Sequence, residues 1–119
     1  METREMVDKL CEALDNKKAN DVVAIDITVL SDLADYFVIA SANNMPHLDA
    51  LADETGRFFA NLKIDAKSVE GENGSSWILF DYRDIIVHLM TEEDRSFYDI
   101  EKIWRDGKII TMKDIKKAE

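Results

Sequence analysis

Two apolar runs of alternating face dominate the second half of the chain, WILFD (77–81) and DIIVHL (84–89). Side chains on a strand alternate between faces, so each run reads as a strand and the pair as a hairpin. A reversal at Asp81-Tyr82-Arg83-Asp84 sets Asp81 against Asp84, Leu79 against Ile86 and Trp77 against His88. These six share one mixed face. Ile78, Phe80, Ile85, Val87 and Leu89 form the opposite, wholly apolar face, which is assigned to the core. The mixed face is assigned to the edge of the core, where recognition is expected.

The remaining elements follow from periodicity. Met6, Val7, Leu10, Cys11 and Leu14 recur at helical spacing, and DVVAIDI (21–27) reads as a buried strand. A connection over 28–35 leads to a second strand, YFVIAS (36–41). Asn43 and Asn44 mark a break before a helix that carries Pro46 in its first turn and runs to about Leu62. Its inner stripe is Leu48, Leu51, Ala52, Thr55, Phe58, Phe59 and Leu62. Residues 66–70 suggest a short exposed strand, and 71–76 a polar loop. After the hairpin, Thr91 caps a third helix with Glu92, Glu93 and Asp94 in its first turn, suited to the positive helix end. Phe97, Ile100, Ile103 and Trp104 are its expected apolar stripe, Arg95 and Asp99 an i,i+4 pair on its solvated face, and Gly107 its stop. Residues 1–107 form one domain on this reading, and 108–119 a tail in which Ile109-Ile110 can add an edge strand. The order α-β-β-α-β-β-β-α predicts an α/β (α+β) domain, a mixed sheet with helices packed on it.

Composition narrows the function. A length of 119 residues suits a single core. A net charge of −10 argues against a nucleic-acid surface, which needs a basic footprint, and suits a basic protein partner. No apolar run approaches the ~20 residues of a membrane span, and METREMVDKL lacks the apolar stretch of a signal peptide. The lone Cys11 sits among core positions of the first helix. These features point to a reducing, cytoplasmic setting, without cofactor or metal.

VVAIDI, SDLADYFVIAS, LADE in the second helix, the EG…W approach to the hairpin, DYRDIIVH and EEDRSFYDIEKIW occur in this order from Val22 to Trp104. In that series the chain resembles the ribosomal silencing factor (Iojap-related) family. The resemblance implies a nucleotidyltransferase-like fold without the catalytic apparatus. It also implies binding to the large ribosomal subunit through a small ribosomal protein on its intersubunit face, large-subunit protein fourteen. Small-subunit joining would be blocked, and translation lowered when nutrients are scarce. Homodimers are implied too; on our reading such a dimer would be a storage form competing with ribosome binding for the same face. Two departures stand out: Arg83 occupies a position that is usually glycine, and Ser41-Ala42-Asn43 replaces serine-glycine-asparagine.

The expected partner-binding residues are Trp77, Asp81, Tyr82, Asp84, His88 and Tyr98. Tryptophan and tyrosine bury large area at little entropic cost. Asp81 and Asp84, if opposed, need compensation from backbone amides, a partner's lysine or arginine, or Mg²⁺. His88 is placed as a support for the Trp77 ring. Two other function classes compete with this reading. A nucleotidyltransferase needs a D-x-D pair after its glycine-serine turn, and Gly74-Ser75 is followed by none. A homodimeric scaffold or adaptor unconnected with ribosomes would use Ile109, Ile110 and Ile115 with an exposed edge strand.

Overall fold

The computed structural model describes residues 1–71 and 74–117. Helix α1 (Thr3–Asn16) buries Val7, Leu10, Cys11 and Leu14. Strands β1 (Asn20–Asp26) and β2 (Tyr36–Ala42) follow. Helix α2 (Met45–Asn61) is capped by Asn44, whose side chain accepts the His47 amide at 2.9 Å. Pro46 lies in the first turn, where its missing N–H is harmless. Next come β3 (Ser68–Glu70), β4 (Trp77–Asp81) and β5 (Ile85–Thr91). The chain ends with α3 (Glu92–Tyr98), α4 (Ile100–Ile103), β6 (Lys108–Thr111) and α5 (Met112–Lys117).

The six strands form one mixed sheet in the order β3-β4-β5-β2-β1-β6. Among the described residues only β2 and β5 pair in parallel, from Tyr36 opposite Ile85 to Ala42 opposite Thr91. Both are buried along almost their whole length, as a central parallel pair must be when helices cover both faces. One face carries Val22, Ala24, Val38, Ala40, Ile78, Phe80, Val87 and Leu89 against α1, α2 and Ile115 of α5. The other carries a second, smaller core of Ile25, Ile27, Phe37, Ile39, Ile86 and Met90, closed by Ile100 of α4. The mixed α+β architecture read from the sequence is the one observed. The face expected to be only a rim, however, is the sheet side of a second core.

Several local expectations are corrected. The hairpin pairs Trp77 with Met90, Leu79 with His88 and Asp81 with Ile86, two residues out of the expected register. Asp84 therefore lies in the connection and does not oppose Asp81. Face assignments survive because a shift of two preserves parity. Arg83 takes a φ of 73°, and the Asp84 amide closes a γ-turn onto the Tyr82 carbonyl at 3.0 Å. Glycine would meet that left-handed requirement without strain, so the departure at Arg83 carries a local penalty.

The third helix is not continuous. Asp99 adopts a left-handed φ of 47° between α3 and α4. The expected stripe is thereby split: Ile100 is buried, Trp104 half-buried, but Phe97 and Ile103 face solvent. Arg95 consequently pairs with Glu101 rather than Asp99. At the C-terminus β6 pairs antiparallel with β1, and α5 buries Ile115.

Gly107 brings the chain back against β1: an added Cβ would meet the Asp26 carbonyl oxygen and Ile25 Cγ2, each at 2.7 Å. Gly56, inside α2, faces open space, with nothing within 4 Å of an added Cβ. The two glycines should respond oppositely to alanine in urea-unfolding measurements. Gly107→Ala is expected to lose about 1–3 kcal/mol through overpacking. Gly56→Ala is expected to gain roughly 0.5–1 kcal/mol from helix propensity.

Candidate interaction surface

The second face of the sheet holds a linked group of rings. Trp77 Nε1 donates to His88 Nδ1 at 3.2 Å, a diagonal contact across the β4–β5 ladder. Tyr98 of α3 packs on Trp77 with ring centroids 4.8 Å apart. Phe37 meets His88 and Trp104 edge-on, both at 5.0 Å. His88 thus supports the Trp77 ring as its position suggested, although it stands opposite Leu79. Because Nδ1 accepts from the indole, the neutral ring carries its proton on Nε2. That nitrogen is buried and has no hydrogen-bond partner among the described residues. Burial pushes the imidazole down to about 4, so the ring is uncharged at neutral pH.

The other expected contact residues separate. Asp81 Oδ1 accepts the Arg83 amide at 2.8 Å, the local turn-forming role that aspartate often takes. Its Oδ1 is thus occupied in stabilising the turn. The Asp84 side chain is exposed beside the β1–β2 connection, and its carbonyl accepts from the Asp35 and Tyr36 amides. Tyr82 is a correction. It belongs to the core face, only 9% exposed, with its ring stacked on Phe59 at 3.7 Å. Burial raises its hydroxyl pKa. The alternation already contained this answer, since Tyr82 has the parity of Ile78 and Phe80. Trp77 and Tyr98 remain accessible, half-buried and half-exposed respectively.

Periodicity alone concealed several residues around this face. Val29, Leu30 and Leu33 are exposed in the β1–β2 connection, next to the turn that holds Asp84. Phe97 and Ile103 are exposed on α3 and α4. Exposed large apolar side chains in a small domain are candidate contact residues for a partner. A usable signal was VLSDL (29–33), apolar residues inside a segment too polar and irregular for a strand. Among the described residues, no group of three or more His, Cys, Asp or Glu side chains is arranged to hold a metal ion.

The buried histidine makes stability pH-dependent. Its folded value of about 4 lies below the ordinary 6.5, so the unfolded chain takes up the proton first. This contribution is flat above about pH 6.5, falls as pH drops, and levels off below about pH 4. The loss is on the order of 3 kcal/mol in all. His88→Gln, unfolded in urea between pH 4 and 7.5, should show a shallower acid limb than the native chain. Identical limbs would show that His88 does not carry the dependence.

Residues 1–119 match the family model described as Ribosomal silencing factor during starvation. The chain is 30% identical over 115 residues to the ribosomal silencing factor RsfS of Halalkalibacterium halodurans, covering 97% of this chain and 98% of that one. It is 30% identical over 101 residues to mitochondrial assembly of ribosomal large subunit protein 1 of Mus musculus, covering 82% of this chain and 44% of the mouse protein. A crystal structure of a Chromobacterium violaceum protein, 30% identical, superposes with a TM-score of 0.83 over 87% of each chain. With that family match, a relative matched over almost its entire length and a common fold, the chain belongs to the ribosomal silencing factor family, whose function is ribosome-associated silencing of translation, regulatory rather than catalytic.

Proposed function

We propose that this protein binds the large ribosomal subunit in the cytoplasm, on its intersubunit face, through the small ribosomal protein large-subunit protein fourteen. There it blocks joining of the small subunit and lowers protein synthesis under nutrient limitation. The observation that carries the reading is the second sheet face. It presents Trp77 and Tyr98 as accessible aromatic anchors and Asp84 and Leu33 on an exposed turn and loop. Aromatic anchors in a polar, acidic rim suit a basic protein surface. The net charge of −10 steers the chain toward such a surface. The name of the mouse relative places that protein in assembly of the large subunit, which favours the large over the small subunit here.

The mechanism needs no chemistry. A body of 33 × 32 × 28 Å seated between the subunits occupies space that the small subunit must fill. Silencing on this reading is reversible and set by affinity and concentration, because no bond is made or broken. Asp84 and its acidic neighbours accelerate encounter, whereas the aromatic anchors determine residence.

Co-sedimentation with separated ribosomal subunits tests the proposal. The native chain is expected to bind large subunits saturably and small subunits not at all. Trp77→Ala should weaken binding at least tenfold, and Asp84→Asn should slow association and reduce its salt dependence. Tyr82→Phe, which removes only the hydroxyl of a ring on the core face, should bind as the native chain does. Equal binding to both subunits, or full affinity in Trp77→Ala, would reject the proposed surface.

A further inference from the structure

Segment α3–α4 is inverted relative to an ordinary amphipathic helix. Helix α3 buries no residue at all. Its Phe97 is 79% exposed and Ile103 of α4 is 71% exposed, whereas the Arg95 side chain, turned toward the sheet, is only 10% exposed. Isolated exposed leucines are unremarkable on protein surfaces. An arginine side chain turned inward and exposed large hydrophobes on one short segment are both departures from the usual pattern.

The polar attachment is specific. Arg95 Nε and Nη2 reach the two Glu101 carboxylate oxygens at 2.8 and 3.1 Å. Its Nη1 donates to the Asn20 carbonyl of β1 at 3.0 Å and to Ser41 Oγ of β2 at 3.2 Å. One guanidinium therefore joins α3, α4, β1 and β2. Its planar fork suits a two-pronged carboxylate contact that lysine cannot reproduce. Thr91 caps α3 through the Asp94 amide, and Ser76 Oγ bonds Asp94 Oδ2 at 2.5 Å. Among the described residues, apolar anchoring comes from Ile100 and the ring contacts of Tyr98 and Trp104.

We infer that α3–α4 is a presenting element: Phe97 and Ile103 are apolar anchors for the ribosomal partner, and Arg95 is the positioning residue that holds them outward. This rests on the ribosomal reading above and extends it to residues beyond the Trp77–Tyr98 face. The occupant follows from charge. Glu92 and Glu93 are exposed at the start of α3, so a basic protein with an apolar patch is complementary. A second copy of this chain is the other occupant, and sedimentation velocity separates it from the ribosomal partner.

Three variants and two readouts test this. Phe97→Ala combined with Ile103→Ala should weaken large-subunit binding at least tenfold, with unchanged thermal stability and unchanged amide exchange over 92–103. Arg95→Met should weaken binding to a similar extent and accelerate exchange over 92–103 by at least tenfold, with β2 and β5 still protected. Full affinity in the double variant overturns the anchor role. Unchanged exchange in Arg95→Met overturns the positioning role. If the native chain binds no subunit, the ribosomal reading and the anchors fall together, while the exchange result still decides the role of Arg95. Concentration-dependent dimers in sedimentation velocity that vanish in the double variant would assign the anchors to a second copy and overturn the proposed occupant.

Discussion

The parallel pairing of β2 with β5 is the constraint from which the rest of this structure follows. These strands sit side by side in the middle of the sheet and are buried on both faces. Two such strands need a covering layer on each side, or one face of branched and aromatic side chains is left in water. Parallel neighbours also demand a long connection, and the chain uses it to place α2, β3 and β4. The crossover thus builds both the covering helix and the partner strand of the β4–β5 hairpin. The candidate surface exists because that hairpin lies at the border between the central pair and the β3 edge.

The two covering layers differ in kind. On the α1–α2 side, attachment is by apolar burial, with Leu10, Leu14, Leu48, Leu51 and Phe59 fully enclosed. On the α3–α4 side, Ile100 and a few rings supply the apolar contact, and the Arg95 network supplies much of the remainder. Packing of the first kind is insensitive to direction, so it tolerates exchange of similar hydrophobes. A guanidinium held by four acceptors is directional and fixes one pose. Such a layer can expose Phe97 and Ile103 without collapsing onto them. The protein thereby separates the face that stabilises it from the face that leaves Phe97 and Ile103 exposed.

Within the hairpin, single residues serve packing and presentation together. Trp77 is half-buried because its ring leans on His88 and Tyr98. The uncharged imidazole accepts a hydrogen bond from the indole N–H and keeps that ring in place, while its other nitrogen is left without a partner among the described residues. Asp81 holds the turn amide of Arg83, whose left-handed backbone is unusual for a side chain of that size. That bond offsets part of the strain. It also explains why the residue expected at the centre of a carboxylate pair acts on its own backbone.

Alternation and helical spacing alone determined the strands, the first two helices, the Thr91 cap and the mixed α+β class, because those signals depend on near neighbours in sequence. The parity of the hairpin was equally legible, and with it the faces of Trp77, Leu79, Ile86 and His88. Register was not, because a shift of two residues leaves every face unchanged and only the geometry at Arg83 chooses between them. Tyr82 was misplaced by reading it as a turn residue rather than by its parity. The break at Asp99, the inward turn of Arg95 and the exposure of Phe97 were decided by tertiary structure. A helical stripe records which residues could be buried together. Which of them are buried depends on acceptors that Asn20 and Ser41 bring from strands distant in sequence.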